Sequence, residues 1–209
     1  QPTDVLVVVD VQNDFCEGGA LAVPDGEGCI PAINGLINRF DAVVLTQDWH
    51  PVGHSSFASS HAGKSPFETV QMPYGEQVLW PNHCVQETYG AEFHPALNAT
   101  KAALIVRKGF RPKIDSYSTF YENDRQTATG LTGYLKGRGH LKTTSVVCCC
   151  ITAETDGDDD MCCLTLSMCC WWAYFCGRED AVWIRYDSSE ETAELQQVDL
   201  GASESLADD

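Results

Sequence analysis

Three stretches of the chain are apolar without alternation: "DVLVVVDVQ" from Asp4, "DAVVLTQDWH" from Asp41 and "AALIVRKGF" from Ala102. Continuous β-branched runs predict strands buried on both faces of a parallel sheet, because a strand with one wet face would alternate polar with apolar. "CIPAINGLINRF" instead carries its apolar residues at helical spacing, with Pro31 near the start, where a helix tolerates it. "GLTGYLKGRG" reads as the end of a second helix, stopped by Gly139. The order β-α-β, a long insert, then β-α-β predicts an α/β fold. This is a three-layer α/β/α sandwich with a mainly parallel central sheet and helices on both faces.

Such sheets bind ligands at the carboxyl ends of their strands. Polar residues stand at those ends: Asp10 late in the first strand, Asp48 and His50 after the second, Lys108 after the third. The insert, about residues 51–100, is rich in Pro, Gly, His and Trp, and a loop of that length inside a compact domain is usually functional. With 209 residues the chain suits one domain, 1–209, with a full core.

Charge narrows the partners. The formal net charge is −17, and residues 151–209 hold 15 acidic side chains against 2 basic ones. Nucleic acid is excluded as a partner, since phosphate contacts need clustered Lys and Arg. No apolar run is long enough to span a bilayer, so no membrane association is expected. The opening "QPTDVLVVVDVQNDF" has neither a basic region nor a signal-cleavage pattern, so a cytoplasmic location is expected, and the 11 cysteines are not read as a disulfide framework.

"DWH" places Asp48 and His50 at i and i+2 on one face of an extended segment, and "WPNHC" adds His83. Two imidazoles and a carboxylate are a common ligand set for a divalent transition metal, with positions left open for water. The bland alternative is three solvated loop residues, and His54, His61 and His94 compete with His83. Asp10 is either a cap for the following turn or a base with a shifted pKa. Asp10 and Lys108, at the ends of neighbouring strands, can form an ion pair that activates a thiol.

"VVVDVQNDF", "LTQDWHP", "WPNHCVQ" with "AEFHP", and "IVRKGF" with "IDSYSTF" resemble the nicotinamidase/pyrazinamidase family of isochorismatase-like hydrolases, from about residue 4 to residue 139. The resemblance implies a flavodoxin-like α/β sandwich. It implies a metal-dependent amidase of pyridine-nucleotide salvage that hydrolyses nicotinamide, or pyrazinamide-like amides, to the acid and ammonia. It places catalytic roles on Asp10 and Lys108, metal ligands on Asp48, His50 and His83, and the aromatic walls around the pyridine ring on Phe15 and Trp80. The implied cofactor is one divalent transition metal ion, zinc before iron or manganese. A small pyridine carboxamide is the implied partner, and a homo-oligomer stays open. A related hydrolase with another amide substrate fits less well, because those relatives generally lack the metal set. A catalytically dead ligand-binding homologue rests on the nucleophile alone.

That nucleophile is where the resemblance ends. The family places a cysteine at the start of a helix after the fourth long strand, where the helix end lowers the thiol pKa and offers N–H groups to an oxyanion. Counted without gaps, the slot falls on Ala153; with one inserted residue it falls on Glu154. The neighbouring stretch "VVCCCITAETDGDDDMCC" has no amphipathic period, and its cysteines match no C-x-x-C metal arrangement. Residues 141–209 therefore read as something other than the polypeptide the fold requires, such as a frame-shifted C-terminal third. A degenerate homologue is the second reading. The third is a local shift that draws the nucleophile from Cys148, Cys149 or Cys150, of which Cys150 is nearest the slot. A strand near 143–149 and a helix near 153–165, holding Asp158, Asp159 and Asp160, are expected in either case.

Overall fold

The structure is a computed structural model that describes residues 5–138 together with the backbone of 145–150 and 184–185. Strands β1 (Val5–Val9) and β2 (Ala42–Asp48) flank helix α1 (Ile30–Ile37) in sequence. The insert contains a hairpin, β3 (Thr69–Met72) and β4 (Gly75–Val78). Strand β5 (Leu104–Lys108), helix α2 (Leu131–Gly137), β6 (Ser145–Cys150) and β7 (Ile184–Arg185) follow. The main sheet runs β5-β2-β1-β6-β7, parallel throughout except for the antiparallel β6–β7 pair.

Burial explains why the long strands are apolar on both sides. Leu6, Val8, Val43 and Leu45 face one layer, where Ile30, Ile33, Leu36 and Ile37 of α1 pack. Val5, Val7, Val9, Val44 and Val106 face the other, against Leu131 and Leu135 of α2. With one helix on each face, the sandwich has the three layers that the strand pattern predicts. Helix α2 spans only seven residues and begins right after Gly130 (φ 105°), so the stretch around Tyr134 is the whole helix rather than the tail of a longer one.

β1 is the pivot of the sheet. The chain moves outward from it through β2 to β5, then returns to its other side as β6. A crevice forms outside the carboxyl ends of strands at such a reversal. The expected fourth strand is present as β6, in register Val9↔Cys150, so the backbone of Cys150 lies one residue short of the level of Asp10. The helix expected near 153–165, the slot at Ala153 or Glu154, and Asp158 to Asp160 lie outside the described residues.

Candidate active site

Asp10 follows β1 with φ 52°, a left-handed conformation that costs a non-glycine residue about 1–2 kcal/mol. Its neighbours hold it there. The Asp10 N–H donates to Thr46 Oγ1 (3.1 Å), and the Thr46 hydroxyl donates to Asp10 Oδ1 (2.7 Å). Asp10 and Lys108 do not end neighbouring strands as the sequence suggests: β2 lies between β1 and β5, and strand β5 brings Lys108 alongside Asp48 in register. The ammonium lies 2.7 Å from Asp10 Oδ2, pairs with Asp48 Oδ1, and donates to the Ser116 carbonyl at 3.2 Å. All three charged groups are buried.

The two carboxylates part in acidity. Burial pushes the Asp10 carboxyl up, against the pull of Lys108, and the nearby Asp48 charge adds to the rise. Burial acts on Asp48 in the same sense, but Lys108 and the two imidazoles outweigh it and hold Asp48 well below the usual carboxylate range. Asp10 is therefore the better proton acceptor, and Asp48 stays an anion.

The free side of Asp48 meets two histidines, His50 Nε2 at 3.7 Å and His83 Nε2 at 3.9 Å from Oδ2. His50 Nδ1 donates to the Gly109 carbonyl (2.9 Å) and His83 Nδ1 to that of Pro81 (2.8 Å). A carbonyl has no hydrogen to give, so in its neutral form each ring carries its lone pair on Nε2, which faces Asp48. Burial pulls the His50 pKa down, but the Asp48 and Asp115 carboxylates outweigh it and raise it, so His50 takes up a proton more readily than His83. Burial, with His50 beside it, lowers the His83 pKa to about 4, which leaves that ring neutral at ordinary pH. Ligands about 2.1 Å from one ion lie at most about 4.2 Å apart, a limit that both imidazoles meet toward Asp48, and the three ligand atoms all lie within 4.8 Å of one another, close enough to be a candidate metal trio. The donor set fits a divalent metal in charge as well: two carboxylates against one ammonium leave a buried net negative charge for a cation to offset.

His50, His54 and Asp115 also lie close enough to suggest a second cluster. The bonding of His54 rules it out as a ligand. Its Nε2 donates to the carbonyls of Arg111 (2.8 Å) and Ile114 (3.2 Å), while its Nδ1 accepts from the Ser56 N–H (3.2 Å) and faces the Ser56 hydroxyl (2.7 Å). No lone pair remains. His61 bonds the Ser55 carbonyl and His94 accepts from the Ala96 N–H, both away from the trio.

Several residues that set this geometry do not announce themselves in sequence. The Gln12 amide pairs with both backbone groups of Asp48, at 2.8 Å each, and fixes where β2 ends. Asp14 accepts from the Cys84 N–H (2.6 Å), and the Cys84 carbonyl receives the His50 N–H (3.0 Å), which ties the His83 segment to β2. Phe57, fully buried, stands edge-on to His50, His54 and His83 at 5.4–5.7 Å. Asp115, also buried, lies 3.9 Å from His50 Nε2. A polar Thr46 inside an apolar strand was the one clue available to periodicity; the others are loop residues whose partners are far away in sequence.

Phe15 is buried with its ring edge-on to His83 at 5.6 Å. Trp80 is half-buried between Phe67 and Tyr117, with ring centres 6.0 and 6.1 Å away, and its indole N–H donates to the Tyr117 hydroxyl (3.0 Å). No helix among the described residues is long and apolar enough to cross a membrane.

Comparison with known proteins matches this architecture. The isochorismatase domain profile covers residues 4–154. A nicotinamidase of Acinetobacter baylyi is 63% identical over 134 residues, covering 64% of this chain and 63% of its own. The chain thus spans a little under two thirds of that relative's length. The solved nicotinamidase/pyrazinamidase of Acinetobacter baumanii superposes with a TM-score of 0.68 at 59% identity, covering 70% of each chain. A pyrazinamidase of Pyrococcus horikoshii, solved in complex with zinc, superposes with a TM-score of 0.53 at 34% identity, covering 72% of this chain and 74% of that one. With its profile spanning β1 to the end of β6, the sandwich layers in place and the strand ends occupied as described, the chain belongs to the isochorismatase family.

Proposed function

We propose that the protein is a metal-dependent amidase that hydrolyses nicotinamide, and pyrazinamide-like amides, to the acid and ammonia. The observation that carries this is the buried Asp10–Lys108–Asp48 chain ending at two imidazoles whose Nε2 atoms both face the Asp48 carboxylate. The nicotinamidase names of the similar proteins supply the substrate class. Asp48, His50 and His83 would hold the ion, and zinc is the first choice given the zinc-bound neighbour. When bound, the metal supplies a Lewis-acid position for the ring nitrogen, directly or through water.

The chain's own groups do the rest. Phe15 and Trp80 hold the flat heterocycle by stacking and apolar burial. Asp10 takes the proton of a cysteine thiol, and Lys108 keeps the carboxylate placed and the thiolate stabilised. The sulfur bonds to the carboxamide carbon. The C–N bond then breaks, and the nitrogen leaves as ammonia with the proton held on Asp10. Water adds to the thioester, gives a proton to Asp10 and releases the acid, and the sulfur leaves as the free thiolate. We place the nucleophile at the family slot, Ala153 as the chain is written, with Cys150 at the end of β6 as the alternative. A cytoplasmic setting fits Cys16, Cys29 and Cys84, which are thiols.

Nicotinamide turnover, followed by ammonia release, tests the reading. Loss of turnover in Asp10→Asn together with retained nicotinate binding is expected. Full turnover in that variant would end the assignment.

A catalytically dead binding homologue is the second reading, favoured by the alanine at the slot. A thiol-specific label separates the two. Burial drives the Cys84 thiol far up and the Cys16 thiol to about 11, so neither competes for label near neutral pH. Rapid uptake at a C-terminal cysteine, blocked by nicotinate, marks an enzyme; its absence marks the binder.

A further inference from the structure

We infer that Asp14 is a positioning residue for the metal trio: its carboxylate holds Cys84 in a left-handed conformation, and that turn aims the His83 ring at Asp48. The inference rests on the reading of Asp48, His50 and His83 as metal ligands.

Cys84 follows His83 directly and has φ 45°. That region disfavours any residue with a Cβ, and glycine enters it freely. Something must hold a cysteine there. Its N–H donates to Asp14 Oδ2 (2.6 Å), and its carbonyl accepts the His50 N–H (3.0 Å). The second bond joins backbone to backbone and forms whatever the side chains are. The first depends on the side chain at position 14.

The carboxylate is braced for this. Its Oδ1 accepts from the Ala20 N–H (3.1 Å), and the Asp14 carbonyl accepts from the Leu21 N–H (2.9 Å). Across from it stands Gly90, where an added Cβ would fall on the Asp14 carboxylate. Gly90 is not one of the left-handed glycines, so what its missing side chain provides is room for Asp14.

The turn at Cys84 works as a hinge. With the Cys84 carbonyl pinned to His50, just past the end of β2, rotation about the Cys84 N–Cα bond decides where His83 lies relative to Asp48. The other contacts of the ring do not replace that hinge. The Pro81 carbonyl, which takes the Nδ1 hydrogen, lies on the same side of it, and Phe15 and Phe57 meet the ring only at an edge. The backbone is next held three residues upstream of the ring, at Trp80, by Ser56 and Ala58.

The test uses the full chain, stripped of metal by chelation and titrated with zinc against a chromophoric competitor. A second observable, read without metal, is the His83 Nδ1–H signal in 15N–1H spectra, assigned by its loss in His83→Ala. Asp14→Ala is expected to weaken zinc about 10- to 100-fold, the range found when a ligand loses its supporting bonds, and to shift the His83 signal. Asp14→Asn should stay within about threefold of the parent, because its amide oxygen still accepts from Cys84 while the exposed Ala20 N–H turns to water. Gly90→Ala drives a methyl into the carboxylate. It should weaken zinc as Asp14→Ala does, yet cost little more where Asp14→Ala is already present. In the Cys84→Gly background the left-handed turn needs no holding, so Asp14→Ala should cost at most about threefold there.

Unchanged zinc affinity and an unmoved His83 signal in Asp14→Ala would overturn the inference. So would a loss in Asp14→Asn as large as in Asp14→Ala, since the charge of Asp14 would then be acting on the ion directly. An undiminished loss in the Cys84→Gly background would overturn it as well. Should Asp14→Ala fail to fold, Gly90→Ala, read with and without Cys84→Gly, decides. A parent chain that takes up no zinc, or a His83→Ala chain that binds it as well as the parent, strikes instead at the metal reading; the His83 signal in Asp14→Ala then decides by itself.

Discussion

Lys108 serves two carboxylates at once, and its removal shows the cost of a buried charge. Lys108→Met leaves Asp10 and Asp48, 4% and 7% exposed, without their counter-ion. A loss of about 3–5 kcal/mol in urea denaturation is expected, with turnover abolished. Adding Asp48→Asn should recover part of the stability, because one of the two orphaned charges is gone, but none of the activity. A single variant as stable as the parent would show the site to be wetter than its burial. Gly109 makes a second residue-scale case. Its φ is 63°, and a Cβ there would meet the His50 ring at 2.4 Å. Gly109→Ala therefore strains the backbone and displaces the imidazole together. Metal content, measured by mass spectrometry of the purified protein, is expected to fall well below one equivalent while the far-ultraviolet circular dichroism stays near that of the parent.

Among the elements, β1 matters most. Its residues alternate between the two apolar layers, Leu6 and Val8 toward α1, Val5, Val7 and Val9 toward α2, so one strand seals both. Leu6→Ala opens a cavity in the α1 layer and is expected to cost about 2–5 kcal/mol by denaturant titration. The nicotinate dissociation constant should change by less than twofold, since Leu6 lies inside the sheet and away from the strand ends. A large affinity change there would mean that β1 shifts as a unit and drags Asp10 with it.

At the scale of the whole molecule, the proposed ion joins parts that are distant in sequence: β2 through Asp48 and His50, and the segment after the hairpin through His83. Anything that binds the folded state alone raises its stability by mass action. Chelation is thus expected to lower the melting temperature, and one equivalent of zinc to restore it together with turnover. An unmoved melting temperature would remove the trio as a metal site. The C-terminal third poses a separate question. Peptide sequencing of residues 141–209 is expected to return a polypeptide other than the one written, with a cysteine at the slot now filled by Ala153. Recovery of "CCCITAETDGDDDMCC" from an active protein would defeat that expectation and pass the nucleophile to Cys150, to be tested by Cys150→Ser.

The sequence alone determined the layer order, the three strands and helix α1, because a strand buried on both faces and a helix buried on one leave periodic marks that no tertiary context is needed to read. It also placed Asp10, Asp48, His50 and Lys108 at strand ends, since position along a strand is a local property. Which histidine completes the trio was decided only in three dimensions. His54 and His83 are both buried imidazoles in the insert, and what separates them is the company of their second nitrogens. His83 spends its N–H on the Pro81 carbonyl and keeps a lone pair, whereas His54 gives its lone pair to Ser56. The tie of Gln12 to Asp48, the press of Phe57 on three imidazoles and the hold of Asp14 on Cys84 were equally hidden. Each is a contact between residues more than thirty positions apart, or the product of a loop path, and such contacts exist only once the sheet has brought the ends of its strands together.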